Sequence, residues 1–137
     1  MIHFHYEINF QLEAEKKFLN WILKVADSYQ RKITDLNFIF VDDAYLLNIN
    51  QQFLNHDTYT DIITFDNSVD ETIAGDIFIS VDRVKENAVI FNTTFVNELH
   101  RVMIHGVLHL IGFKDKSEND ELEMRNQENL ALTYLNN

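Results

Sequence analysis

Two histidines, His105 and His109, stand four residues apart in the run His105-Gly106-Val107-Leu108-His109-Leu110-Ile111-Gly112-Phe113-Lys114-Asp115. On a helix, that spacing leaves the two side chains about 40° apart around the axis and about 6 Å apart along it. Two imidazoles so placed can reach one metal ion. Gly112 breaks the helix and lets the chain turn back, so Asp115 can supply a third ligand from the returning segment. Three protein ligands with an open fourth position are the arrangement of a catalytic rather than a structural zinc. A single histidine on an apolar helix is most simply a hydrogen-bonded core residue. A pair at this spacing, followed by a helix-ending glycine and a carboxylate, favours the metal, because neutral imidazole in apolar surroundings is a good ligand.

The same spacing resembles the zinc-binding turn of metzincin peptidases. Gly106 breaks that likeness, because those enzymes carry a catalytic Glu directly after the first His. Without that general base, ordinary peptidase chemistry is disfavoured. A glycine inside a helix costs about 1 kcal/mol relative to alanine. Its presence at 106 implies that a substrate or a neighbouring strand passes close by.

The elements that must position these groups follow from periodicity. Residues 2–8 alternate apolar and polar, which is strand period, and residues 12–30 repeat apolar side chains at helical spacing. Residues 33–41 are β-branched and aromatic, hence a strand, and Asp42 or Asp43 can cap a short helix through Phe53. Thr60–Phe65 and Ala74–Ser80 read as the two strands of a hairpin across the polar loop Asp66–Thr72. A short helix covers about 81–90. Thr93 or Thr94 then caps the most apolar helix, from Phe95 to Ile111, which is apolar on nearly every side and must be buried. Ser117, with Asp120 three residues on, caps a last helix over 118–134. The order βαβαββααα predicts an α+β (mixed α/β) fold: a small four-stranded mixed sheet packed with about five helices, with the metal site at the C-terminal end of a buried helix. No linker, repeat or low-complexity tract divides the chain, so residues 1–137 are expected to form one domain. With no proline and three glycines, turns must come from Asp and the fifteen asparagines.

Composition narrows the function. The chain carries 22 acidic and 11 basic residues, a formal net charge of −11 on 137 residues. That argues against a broad basic face for nucleic acid, so an anionic substrate needs a localised positive centre. The 46% apolar content excludes a disordered chain. The absence of cysteine excludes a disulfide framework, a cysteine-based zinc finger and a cysteine nucleophile. Residues 1–7 lack the basic and apolar regions of a signal peptide, and nowhere do 18 apolar residues run together. A soluble, cytoplasmic protein without a membrane partner is the expectation.

The metal-site stretch resembles the YbeY family signature, H-G-x-L-H-L-x-G-[FY]. Upstream, Thr60-Asp61-Ile62-Ile63-Thr64-Phe65 is similar to the family's T-[DN]-V-L-S-F strand, and Gly75-Asp76-Ile77-Phe78-Ile79-Ser80 to its G-D-I-x-I-S strand. Glu98 stands seven residues before His105, where the family usually has Glu. These elements cover about 45–115 in family order. The resemblance implies a bacterial, cytoplasmic, zinc-dependent endoribonuclease specific for single strands. It implies a role in small-subunit (16S) rRNA maturation and ribosome quality control, with ribosomal proteins as further partners. By position, His105 and His109 match the family's first two metal-binding histidines.

Two departures stand out. The family's third ligand is usually His; here Asp115 holds that position, after Lys114. Carboxylate is a sound zinc ligand, and a two-His, one-carboxylate site with one Zn²⁺ per chain is also compatible with Mn²⁺ or Fe²⁺. The family's arginine falls on Leu54, and leucine cannot hold a phosphate. Arg101, Lys114 and Lys116 are the cations nearest the site in sequence and the candidates for phosphate contacts. The expected reaction is attack on a phosphodiester phosphorus by a water that the ion activates.

Other polar residues read more simply. His56 is a loop histidine near family landmarks. His3 and His5 fall on the exposed face of an edge strand. His100 is about 140° round the helix from His105 and should not share the metal. Glu98 is about 10 Å down the axis, too far to coordinate, and suits a polar network. Glu118, Asp120, Glu121, Glu123 and Glu128 read as a solvated face of the last helix. The alternative function is a non-catalytic ribosome-assembly factor with a structural metal, docking to a basic ribosomal protein through its acidic surface.

Overall fold

In the computed structural model, residues 1–55 and 59–136 are described. Their elements run β1 (Ile2–Tyr6), α1 (Glu15–Ser28), β2 (Lys32–Val41), α2 (Asp43–Phe53), β3 (Ile62–Asp66), β4 (Thr72–Ser80), α3 (Val81–Ile90), α4 (Phe95–Ile111) and α5 (Glu118–Thr133), with a closing 3₁₀ turn over Tyr134–Asn136. This is the expected βαβαββααα order and an α+β fold. The sheet order is β1-β2-β4-β3. β1 pairs parallel with β2, β2 parallel with β4, and β3 antiparallel with β4, so the hairpin is as read from sequence.

Strand alternation divides the apolar residues between two faces. Leu36, Phe38 and Phe40 of β2, with Ile73, Ile77 and Ile79 of β4, enter the main core with α1 and α4. Val41 and Ile63 point the other way and meet Leu46 and Ile49 of α2 in a smaller cluster. Fully burying a side chain such as Ile104 or Leu108 contributes about 1.5–3 kcal/mol, which makes α4 the helix on which the fold depends. It contacts β3, β4, α1, α3 and α5. The Trp21 indole N–H donates to the Ala131 carbonyl at 2.9 Å and ties α1 to α5.

Caps set the helix ends. Asp42, Ser80, Thr94 and Ser117 each accept from the backbone N–H three residues on, satisfying donors that the first turn leaves free. The first helix is shorter than the expected 12–30. Ala14 and Gln30 sit in left-handed backbone, with φ of 57° and 60°, which a right-handed helix cannot contain. Asn55, Asp70 and Asn92 make left-handed turns as the asparagine-rich composition suggested. Gly112 closes α4 at φ 127°, where a side chain is strained.

Candidate metal centre

Most of α4 from Leu99 onward is buried, but Arg101, His105 and His109 are only partly so. They form a stripe at i, i+4, i+8 along one edge of the helix. Gly106 lies just inside that edge. A Cβ there would meet Ile62 and Ile77 side-chain carbons at 3.0 Å, so the close neighbour implied by this glycine is the sheet. The missing side chain lets α4 settle onto β3 and β4 and brings both histidines to the rim of a cavity.

After Gly112 the chain returns across the helix end and delivers Asp115. Its Oδ2 lies 3.1 Å from Nε2 of His109 and 3.4 Å from Nε2 of His105. One donor atom from each of the three residues lies within 4.8 Å of the others. A tetrahedral ion with bonds of about 2.0–2.1 Å holds its ligand atoms about 3.3 Å apart. The donor set therefore fits a divalent ion in both chemistry and spacing.

The other ring nitrogen of His105 is engaged. Nδ1 is 2.8 Å from Oε2 of Glu128, and Oε1 of Glu128 accepts from Arg101 at 2.7 Å. Arg101 also donates to Asn129 at 2.8 Å. Glu128 is 5% exposed, so it is no part of a solvated acidic face; that reading is corrected. It sits four residues after buried Met124 and three before buried Ala131, on the inner stripe of α5. An acid on an apolar stripe was the available signal.

Burial opposes charge on His105, but the hydrogen bond and charge of Glu128, with Asp115 and Asp61, prevail and raise its pKa. Glu128 shows the complement: burial raises its pKa, and His105 and Arg101 outweigh that and lower it. Burial pushes Asp61 up against the opposing pull of His105 and an Asn87 hydrogen bond. Glu98 is raised by burial and by Asp61. These groups line a cavity of about 380 Å³ together with His105, His109, Asp115, Arg101 and Arg125.

The remaining sequence candidates fall elsewhere. Lys114 and Lys116 are exposed and do not line the cavity, whereas Arg125, unremarked in the sequence, does. Leu54 caps the end of α2 and is 43% exposed. His100 packs against Phe18 and Trp21, away from the three donors. His3 and His5 are exposed on the edge strand β1. His56 and Asp57 lie outside the described residues.

Fold and site together define a class: an α+β protein whose buried helix carries a metal-capable donor set at the mouth of a cavity holding two arginines. The family model described as Endoribonuclease YbeY matches residues 3–136. A Flavobacterium psychrophilum protein named Endoribonuclease YbeY is 54% identical over 132 residues, 96% of this chain and 94% of that one. A Karelsulcia muelleri protein of the same name is 50% identical over 135 residues, 98% and 96% of the two chains. The solution structure of TM1509 from Thermotoga maritima superposes with a TM-score of 0.70 at 29% identity, covering 98% of this chain and 89% of that one. The chain belongs to the YbeY family, whose named members are endoribonucleases, enzymes that hydrolyse RNA. No helix among the described residues is long and apolar enough to cross a membrane.

Proposed function

We propose that this chain is a metal-dependent endoribonuclease that cuts single-stranded regions of small-subunit (16S) rRNA during ribosome maturation and quality control. The carrying observation is the convergence of His105 Nε2, His109 Nε2 and Asp115 Oδ2 at one side of a cavity with Arg101 and Arg125 on its wall. Family membership and the relatives' shared name support the RNA substrate. One Zn²⁺ per chain suits the donors, and Mn²⁺ or Fe²⁺ is also compatible. A cytoplasmic location and ribosomal-protein contacts fit the role.

A divalent ion held by His105, His109 and Asp115 would supply an activated water and positive charge for a phosphoryl oxygen. The chain's own residues do the rest. Glu128 accepts from Nδ1 of His105, which fixes the tautomer and leaves Nε2 free to coordinate. Arg101 holds Glu128 in place and, with Arg125, offers positive charge to the phosphates beside the scissile bond. Lys114 and Lys116, on the exposed return after Gly112, can meet more distant phosphates.

The test gives metal-loaded protein a single-stranded RNA, a duplex of the same sequence and casein, beside a His109→Ala control. Cleavage of the single strand alone, lost in the control, is expected. Undiminished RNA cleavage by His109→Ala would overturn the site assignment. A second reading, the assembly factor with a structural metal, is favoured by Leu54 at the family's arginine position. It predicts stoichiometric metal and no cleavage of any substrate.

A further inference from the structure

The metal cavity has a neighbour. A second depression of about 690 Å³ shares Phe91, Glu98, Arg101 and Arg125 with it and continues along α4 to His100 and, on α1, Lys17. Three of the chain's 11 basic residues thus line one groove on a protein of net charge −11. Glu98 is the one acid on the same lining and Arg101 is paired with Glu128, so Arg125 and Lys17 supply the local positive excess that an anionic substrate requires.

The three cations are not equally engaged. Arg101 is paired with Glu128 at 2.7 Å. Arg125 reaches the same carboxylate only at 3.7 Å, and its side chain is 58% exposed. The exposed Lys17 ammonium has no ion-pair partner among the described residues. His100, held against Phe18 and Trp21 at ring distances of 5.1 and 6.0 Å, contributes to the groove's lining. Phe91 caps α3 and is 61% exposed at the junction of the groove and the metal cavity. Exposed rings beside cations are how proteins hold unpaired bases and the backbone that links them. A basic protein segment would be repelled by the same groove.

We propose that this groove carries the RNA strand on one side of the scissile bond, with Phe91 stacking on the base next to the metal centre and Arg125 and Lys17 holding the phosphates that follow. The inference rests on the proposed endoribonuclease function and assigns where its substrate runs.

Metal-loaded full-length protein and its Phe91→Ala, Phe91→Trp and Lys17→Ala variants would be titrated with labelled single-stranded RNA of three and of ten nucleotides at several salt concentrations, with cleavage followed in parallel. Phe91→Ala is expected to weaken decamer binding about tenfold, the value of one base stack, and Phe91→Trp to restore it. Lys17→Ala is expected to flatten the log–log salt dependence by about 0.7, the value for one phosphate on a single strand. The Lys17→Ala loss should be confined largely to the decamer, whereas Phe91→Ala, next to the metal centre, should weaken both RNAs. Wild-type binding and cleavage with no change in these variants would overturn the track and leave the proposed function standing. Failure of the metal-loaded wild type to bind either RNA would overturn both.

Discussion

Nδ1 of His105 lies 2.8 Å from Oε2 of Glu128, a carboxylate brought in from α5, 23 residues away in the chain. The contact orients a ring whose other nitrogen faces Asp115. Such carboxylate partners fix the tautomer of a ligating histidine and raise its basicity, and losing one typically costs 10–100-fold in metal affinity. Glu128→Gln keeps an acceptor but loses the charge, so affinity should fall about tenfold. Glu128→Ala should fall nearer 100-fold and leave the Arg101 guanidinium with Asn129 as its remaining partner. Competition against a chromogenic chelator measures both. Native affinity in the two variants would mean that this pair does not orient a ligand.

Gly106 sits at a tight packing contact. Alanine there would gain about 1 kcal/mol of helix propensity, but its Cβ would press on Ile62 and Ile77 at 3.0 Å. The two effects nearly cancel, and Gly106→Ala should melt close to the wild type. Valine adds two methyl groups in the same gap, and overpacking costs about 1–3 kcal/mol. Gly106→Val should therefore lower Tm by several degrees and reduce metal affinity, because α4 must lift and carry both histidines with it. Thermal melts with and without metal separate the two losses.

Much of this arrangement is local and therefore legible in the sequence. The histidine pair, Gly112 and Asp115 lie within eleven residues, and helix geometry alone predicts their convergence. Strand and helix order followed from periodicity and caps. Arg125 carried no signal as a site residue, and Glu128 only the weak one of an acid between Met124 and Ala131, because four other acids share α5 and its docking against α4 decides which is buried. Lys114 and Lys116 were the nearest cations in sequence, yet the chain return that delivers Asp115 leaves both exposed. The start of α1 was overextended because the left-handed backbone at Ala14 has no residue signal.

The raised pKa of Asp61 has a consequence for stability. Burial is the main cause. The folded state then binds the proton more tightly than the unfolded chain, whose Asp titrates near about 3.9. Stability is lost as pH rises from that value through the folded pKa, and the penalty persists above it. Asp61→Asn removes the penalty, so the metal-free variant should melt above the wild type at neutral pH. The gain should vanish as pH falls toward 4. A metal ion in the same cavity favours the carboxylate and should shrink the gain. Melts at several pH values, with and without metal, test the sign; a gain that grows toward acid would contradict it.

The proposed ligand role of Asp115 can be tested separately for metal capture and for metal choice. Asp115→Ala leaves two histidines on a helix edge and should lose most metal and all RNA cleavage. Asp115→His keeps a third donor on the same return and should retain metal. Imidazole in place of carboxylate removes a negative charge and one hard oxygen ligand, which favours Zn²⁺ over Mn²⁺. The native protein should therefore discriminate less between the two ions than Asp115→His. Competitive loading from an equimolar mixture, read by elemental analysis, measures this. Equal preference in both proteins, or full metal retention by Asp115→Ala, would place the third ligand elsewhere.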